Sequence, residues 1–435
     1  MVRFPSGVEG ILMVNVWFPY GKTEICARIP TRNFLGTISP KDKPCVAGGR
    51  EEILRALKNP ISSKPLAELV NPGDSVAIVV DDVTRPAPSE LLISPLLEEL
   101  NQQGVEEKDI TIIFGCGTHR PVKPEEAEEL LGEDTVKRIK TLSHNCLDKD
   151  LEFLGKTKKH GTDVYVNKTF AKADVRILTG DIEMHYYAGF GGGRKSVLPA
   201  VCGAETIQQN HKMILDPEAR TGVLEGNPIH EDMVEAAKLA DIAFILNVVT
   251  NSEGNIIKAF AGDLEAAFYE GVKLAEEVYK VPISRRADIV VVSSGGHPAD
   301  IDLYQAYKAV DHALDSVKRG GVIILLAECP ESYGNEVFYD WMIRFEDAKS
   351  MKKEIKKHFA TGGHKAYFLM QTLQKCQVIL VSAMPDYYAL NVFRLRTARA
   401  VNDALREAFE IAGSKAKVWV IPNGHKTLPF LQNLA

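Results

Sequence analysis

The seven cysteines of this chain are scattered, odd in number and never spaced as CxxC. That excludes a zinc ribbon and argues against a disulfide framework, so the thiols are expected to stay reduced in a cytoplasm. HExxH and the GxSxG elbow are missing, and no GxGxxG follows a strand-like run. A zincin, an α/β-hydrolase and ordinary nicotinamide binding therefore lack their signatures. No apolar stretch approaches the ~20 residues that span a bilayer. The N-terminus reaches Pro5 without a charged region leading into an apolar core, so neither signal peptide nor membrane anchor is expected. Positive charge is not in excess either: the formal net charge is −6, and no basic stripe is interleaved with aromatics, which argues against a nucleic-acid partner. Repeats of solenoid period and low-complexity segments are also absent.

What is present is a chain of 435 residues, 45% hydrophobic, long enough to bury a sizeable core in two domains. The segment up to Pro30 alternates as a β-hairpin. Asp74–Pro86 (DSVAIVVDDVTRP) and Asp109–Pro121 (DITIIFGCGTHRP) are short Ile/Val-rich runs opening into polar loops, each followed by a helical stretch, Ser89–Asn101 and Pro124–Leu131. Further strands are expected at Val175–Leu178 and Ala243–Val249, and an amphipathic helix at Leu264–Tyr279. Beyond a boundary near Val281–Arg286, ADIVVVSSGGHPADID opens a second domain, with a helix carrying Tyr304, Gln305 and Lys308 and strands at Val322–Ala327, Val378–Ser382 and Val418–Ile421. Strand–helix alternation of this kind specifies βαβ units. The fold class is therefore α/β, two Rossmann-like domains (1–282 and 283–435) with parallel-rich sheets.

The densest chemistry lies in Gly180–His211, GDIEMHYYAGFGGGRKSVLPAVCGAETIQQNH. Gly191, Gly192 and Gly193 permit close approach of backbone to a ligand. Arg194 beside Lys195 disfavours a second charge and pushes the lysine toward its neutral, nucleophilic form. His185 and His211 supply bases or metal ligands. GFGGGRKS nearly matches a phosphate loop, but Arg194 stands where Walker A has glycine, and a helix is expected only from about Gly203. A glycine-rich surface turn is the plainer alternative. In open α/β sheets ligands bind beyond the carboxyl ends of strands. Three strand exits would bring Asp82, Thr84 and Arg85, then Thr118, His119 and Arg120, then His185 and the Lys195 loop to one rim. His144, His160, His230, His358 and His425 sit in polar or turn-like contexts and are read as structural, and Cys116 and Cys202 are given no role.

Taken together, DDVTRP, GTHRP, the His185–GGGRKSVLP–His211 block and DLYQAYKAVD (Asp302–Asp311) resemble the nickel-dependent lactate racemases, over nearly the whole chain and in the family's order. The resemblance implies a nickel-pincer nucleotide, pyridinium-3-thioamide-5-thiocarboxylic acid mononucleotide with Ni(II), covalently tethered through the amine of Lys195. It implies His211 as the protein ligand to nickel and His119 and His185 as the catalytic pair. Arg85, Tyr304, Gln305 and Lys308 would hold the substrate, Gly191, Gly192, Gly193 and Arg194 would contact the cofactor beside Lys195, and Asp82 and Thr84 would lie near its nucleotide part, with the site closing in an interdomain cleft. The chemistry is coherent. Racemising a 2-hydroxy acid by proton abstraction puts a carbanion beside a carboxylate, whereas hydride removal gives a stable 2-oxo acid that can be re-reduced from either face. Two bases then serve two enantiomers, a cofactor accepts the hydride, and a planar sulfur-and-imidazole donor set suits Ni(II). Lactate leads among the substrates the family accepts, before malate, longer hydroxy acids or sugars. The family shapes its pocket with an aromatic of the second domain, for which Gly362–Gln371 offers Tyr367 or Phe368. The implied partners are the 2-hydroxy acid and the cofactor-making proteins. Alternatives from other classes are a phosphotransferase using GFGGGRKS, and a nickel or nucleotide carrier that would need Lys195 and His211 but not the other groups.

Overall fold

The computed structural model describes residues 12–432 apart from 42 and 86, so Pro5 and the proline closing DDVTRP lie outside the described residues. The chain divides after Lys41 and after Val278: the middle segment forms one compact unit, and the N-terminal segment joins Tyr279 onward in the other.

The N-terminal strands are β1 (Met13–Tyr20), β2 (Thr23–Pro30) and β3 (Phe34–Thr37). β1 and β2 form the expected antiparallel hairpin. It does not belong to a 1–282 domain. β3 pairs in parallel with a strand near the C-terminus, from Phe34 opposite Val418 to Thr37 opposite Val420. Phe18, Ala27 and Ile29 of the hairpin are fully buried in a core shared with Ile289, Val291, Val418 and Val420. The hairpin's apolar face finds its complement there, and this decides its location over sequence proximity.

The middle unit contains β4 (Val76–Val80), α1 (Ser89–Gln102), β5 (Ile110–Phe114), α2 (Pro124–Leu131), β6 (Lys140–Ser143), β7 (Val175–Asp181), α3 (Ala204–His211), α4 (Pro228–Leu239), β8 (Phe244–Thr250) and β9 (Ile256–Gly262). α5 (Ala266–Tyr279) closes it. Its six-stranded sheet runs β9-β8-β7-β4-β5-β6 and is parallel except at β8–β9. β4 is VAIVV, buried at every position, as a strand covered on both faces must be. Ile78, Ile112, Ile177 and Leu246 are fully buried in its core, each worth about 1.5–3 kcal/mol. From β4 the chain steps out to β5 and β6, then returns to place β7 on the other side of β4. The order therefore reverses between β4 and β7, and in open α/β sheets such a reversal marks the ligand-binding place beyond the carboxyl ends of the strands.

The other unit continues with β10 (Ala287–Ser293), α6 (Leu303–Ala313), β11 (Val317–Leu326), α7 (Gly363–Lys375), β12 (Gln377–Val381), β13 (Arg396–Ala398) and β14 (Val418–Ile421). Its sheet, β13-β12-β11-β10-β14-β3, is parallel throughout. The order reverses between β10 and β14, and α6 follows the β10 exit.

Candidate active site

At the β4 exit the chain turns tightly. One oxygen of Asp82, Oδ1, accepts from the backbone N (2.8 Å) and hydroxyl (2.6 Å) of Thr84. The other, Oδ2, lies 2.7 Å from Nδ1 of His119, which arrives from the β5 exit. Asp82 is nearly enclosed, whereas the His119 side chain is 39% exposed. A carboxylate only accepts, so Nδ1 carries the proton and Nε2 presents its lone pair outward. Burial alone would raise the Asp82 carboxyl; the hydrogen bond and charge of His119, with Arg85 and Thr84, instead hold it at about 2.

Asp81, beside this dyad, behaves in the opposite way. Burial, then the charges of Asp82 and Glu183, push its carboxyl up to about 7 against the pull of Arg85 and Lys195. Arg85 stands 4.0 Å from Glu183. Despite its burial, Glu183, Asp82, Asp81 and Asp181 keep the guanidinium firmly charged.

Beyond β7 the chain forms a short hairpin with strands of two residues each, in which His185 pairs with Gly189. His185 is buried, with the Tyr187 ring edge-on at 4.4 Å, and its Nδ1 receives the Ala188 N–H at 3.3 Å. The glycines that follow have geometric roles. Gly189 sits at φ +77, where a Cβ would meet Val223 O at 2.2 Å; Gly192, at φ +73, leaves a Cβ only 2.8 Å from Asp181 O.

Arg194 differs most from its expected place among cofactor contacts. It is 1% exposed and folded back into its own loop. NH1 donates to the carbonyls of Phe190 (2.8 Å) and Gly192 (3.1 Å), NH2 to Ala188 O (2.7 Å), and Nε to Nδ1 of His230 (2.9 Å). The Phe268 ring lies 4.5 Å from its Cζ. Burial pulls this guanidinium down to about 9. The loop amides are also engaged internally: Gly191 N with Glu183 O, Gly193 N with Asn247 Oδ1, Lys195 N with Gly192 O. A phosphate loop presents such amides to its ligand, so GFGGGRKS is built differently, and Gly191, Gly192 and Gly193 shape a turn closed around Arg194. His230, read as structural, is the partner that makes this closure possible.

Lys195 follows on a 3₁₀ turn, Gly193–Ser196, and is 8% exposed. Burial, then the charges of Arg85 and Arg194, hold its amine well below the usual lysine range. At the end of α3, His211 is buried with Nδ1 3.0 Å from Asn210 Oδ1 and Nε2 2.9 Å from the Tyr187 hydroxyl. Among the described residues no three His, Cys, Asp or Glu side chains come together as a metal cage. A metal at His211 would therefore need donors carried by another group. Burial pushes the Cys116 thiol up to about 11.

In the other unit, Asp302 caps α6 by accepting the Gln305 N–H at 2.6 Å. Tyr304, Gln305 and Lys308 are all half-buried, while Leu303, Ala306 and Tyr307 face the interior. A residue the sequence did not single out stands against them. Lys365 of α7, 1% exposed, donates to the Tyr304 carbonyl and holds its ammonium 3.6 Å from the centre of the Tyr304 ring. Of the two candidate aromatics, Tyr367 is buried and accepts from Gln371 Nε2 at 2.8 Å, while Phe368 is half-buried.

This is an α/β enzyme built around an enclosed lysine amine and an aspartate-oriented histidine at the switch point of a parallel sheet. Residues 20–222 match the model of the lactate racemase N-terminal domain and residues 283–428 that of the lactate racemase C-terminal domain. The chain is 35% identical over 424 residues to the lactate racemase of Thermoanaerobacterium thermosaccharolyticum, covering 95% of this chain and 98% of that protein. It is also 35% identical over 421 residues to the lactate racemase of Lactiplantibacillus plantarum, covering 95% and 99%. The structure of the Thermoanaerobacterium lactate racemase apoprotein superposes with a TM-score of 0.89 at 34% identity, covering 96% of this chain and all of that one. A Thermotoga maritima protein, 21% identical with a TM-score of 0.69 over 88% of this chain, shares the fold. The chain belongs to the lactate racemase family and is an isomerase of the racemase class.

Proposed function

We propose that this protein interconverts the D and L forms of a 2-hydroxy acid, lactate first, through a 2-oxo acid, with a nickel-pincer nucleotide attached at Lys195. The observation that carries the reading is the Lys195 amine, enclosed and pushed toward its neutral form by burial and by the charges of Arg85 and Arg194, within the unit that also holds the Asp82-oriented His119 and the buried His185. A neutral amine is nucleophilic at physiological pH, as attachment requires. His211 offers one imidazole lone pair to the metal. When bound, the cofactor supplies a carbon that accepts hydride from the substrate.

The chain's own groups do the remaining work. Nε2 of His119, aimed outward by Asp82, takes the hydroxyl proton of one enantiomer and returns it in the reverse direction; His185 does the same for the other. Arg85, kept charged by its carboxylates, pairs with the substrate carboxylate as a planar fork. Tyr304, Gln305 and Lys308 contribute substrate contacts, Lys308 as a point charge. Asp82 and Thr84, assigned from the resemblance to the nucleotide, act here on His119. The cofactor must be made by other proteins, and its thiolate chemistry suits a reducing cytoplasm.

The test is intact-protein mass spectrometry with nickel analysis on protein produced together with the cofactor-making system, followed by chiral assay of 2-hydroxy acids. A covalent mass increase on Lys195, about one nickel per chain and racemisation of lactate are expected. Malate, a longer acid or a sugar as the better substrate would redraw the pocket alone. An unmodified mass despite a working positive control would remove the tether.

A further inference from the structure

The Nδ1 nitrogen of His211 faces Asn210 Oδ1, 3.0 Å away, an oxygen whose orientation is fixed from behind. Asn210 is fully buried, and its amide nitrogen donates twice, to Ile229 O at 3.1 Å and to Asp232 Oδ2 at 2.9 Å. Both partners only accept. Rotating the amide by half a turn would point Oδ1 at a carbonyl and a carboxylate, losing both bonds in a buried interior where orphaned polar groups are costly. Asp232, itself fully buried, is held by two hydroxyls from the turn between strands Leu151–Lys156 and Asp163–Asn167. Thr157 Oγ1 donates to Oδ1 at 2.6 Å, and Thr162 Oγ1 to Oδ2 at 2.9 Å. The direction of Thr157 is set in turn, since its oxygen accepts the Thr162 N–H at 2.9 Å.

We propose that Asn210, locked by Asp232, is a positioning residue that fixes His211 as the Nδ1–H tautomer and so leaves the Nε2 lone pair as its only outward function. Asn210 Oδ1 can only accept, so Nδ1 of His211 must donate. Nε2 then accepts from the Tyr187 hydroxyl, 2.9 Å away. The same lone pair is the one a metal would use. The metal-binding consequence rests on the reading of His211 as a nickel ligand; the tautomer does not. Groups that hold the distal nitrogen of a ligating imidazole set its orientation and basicity, and their loss typically costs about 10- to 100-fold in metal affinity.

The test uses ¹⁵N NMR of histidine-labelled cofactor-free protein, with the His211 signals assigned by their loss in His211→Gln. Wild type should show a protonated Nδ1 and an unprotonated Nε2, and Asn210→Leu should shift His211 toward the Nε2–H form with the other histidine signals in place. If Asn210→Leu fails to fold, Asp232→Asn, which lets the Asn210 amide turn, should give a mixture of tautomers. An Nε2–H tautomer in wild type, or an unchanged tautomer in a folded variant, overturns the proposal. Separately, Asn210→Leu loaded with cofactor should keep its added mass while losing nickel affinity about 10- to 100-fold. Nickel retained equally by loaded His211→Gln would overturn the ligand reading alone and leave the tautomer result standing.

Discussion

His119 Nδ1 and Asp82 Oδ2 are 2.7 Å apart, an enclosed carboxylate behind a part-exposed imidazole. The carboxylate selects which ring nitrogen is basic and where it points. Asp82→Asn keeps the shape but lets the amide nitrogen face Nδ1, which favours the opposite tautomer. The expected result is a fall in kcat of about 10²- to 10⁴-fold, with cofactor mass and nickel content unchanged. Full activity in this variant would remove His119 from proton transfer.

The same pair sets an acid limit. The Asp82 carboxyl is lowered in the folded protein from 3.8 to about 2. A depressed carboxyl contributes stability that is present above its unfolded value and lost as pH falls through the folded one. Asp82 should therefore contribute about 2 kcal/mol at neutral pH, lost between roughly pH 4 and pH 2. Denaturant melts across that window should show a shallower acid limb for Asp82→Asn. Asp81 has the reverse sign: its carboxyl is raised to about 7, so its stability is lost as pH rises through 7, and Asp81→Asn should gain relative stability on the alkaline side.

Lys195 should be held at a cost. Its amine sits well below the lysine range, so stability declines as pH falls from the unfolded lysine value toward the folded one. Lys195→Met, of similar length and without charge, should raise the Tm at pH 7, by roughly 2–4 °C for each kcal/mol relieved, while cofactor attachment disappears from the intact mass. An unchanged or lower Tm would mean that the amine is not desolvated.

Arg194 is the structural counterpart. Arg194→Lys retains the charge but cannot reproduce a fork that reaches Ala188, Phe190 and Gly192 carbonyls and His230 together. With several buried acceptors orphaned, a loss of at least about 3 kcal/mol is expected, read as a Tm drop of roughly 10 °C. A wild-type melt for this variant would show that the loop closes without the guanidinium.

The strand exits bearing Asp82, His119 and His185 were legible because short Ile/Val runs ending in polar loops follow directly from a buried parallel sheet. Lys195 and His211 were legible from one block of sequence. The direction of Arg194 was not: adjacency to Lys195 says nothing about which way a side chain turns, and its partner His230 is 36 residues away. Lys365 reaches Tyr304 across 61 residues, and Thr157 reaches Asp232 across 75. Glu183 and Tyr187 lay within the block itself, yet an acid and a phenol among so many polar residues carry no period or spacing of their own. The hairpin was legible as a hairpin, but its burial against Val418 and Val420 is tertiary information.

That misplaced hairpin has a consequence for the order in which the protein is made. Asn33 hydrogen-bonds to Ala416, 383 residues further on, and β3 has no sheet to join until β14 has left the ribosome. At about 5–20 residues per second this delay is roughly 20–80 s. The middle unit is continuous in the chain and can close during that interval, whereas Phe18 and Ile29, buried in the finished protein, have no core to enter until Ile289 and Val291, on the far side of that unit, have been made.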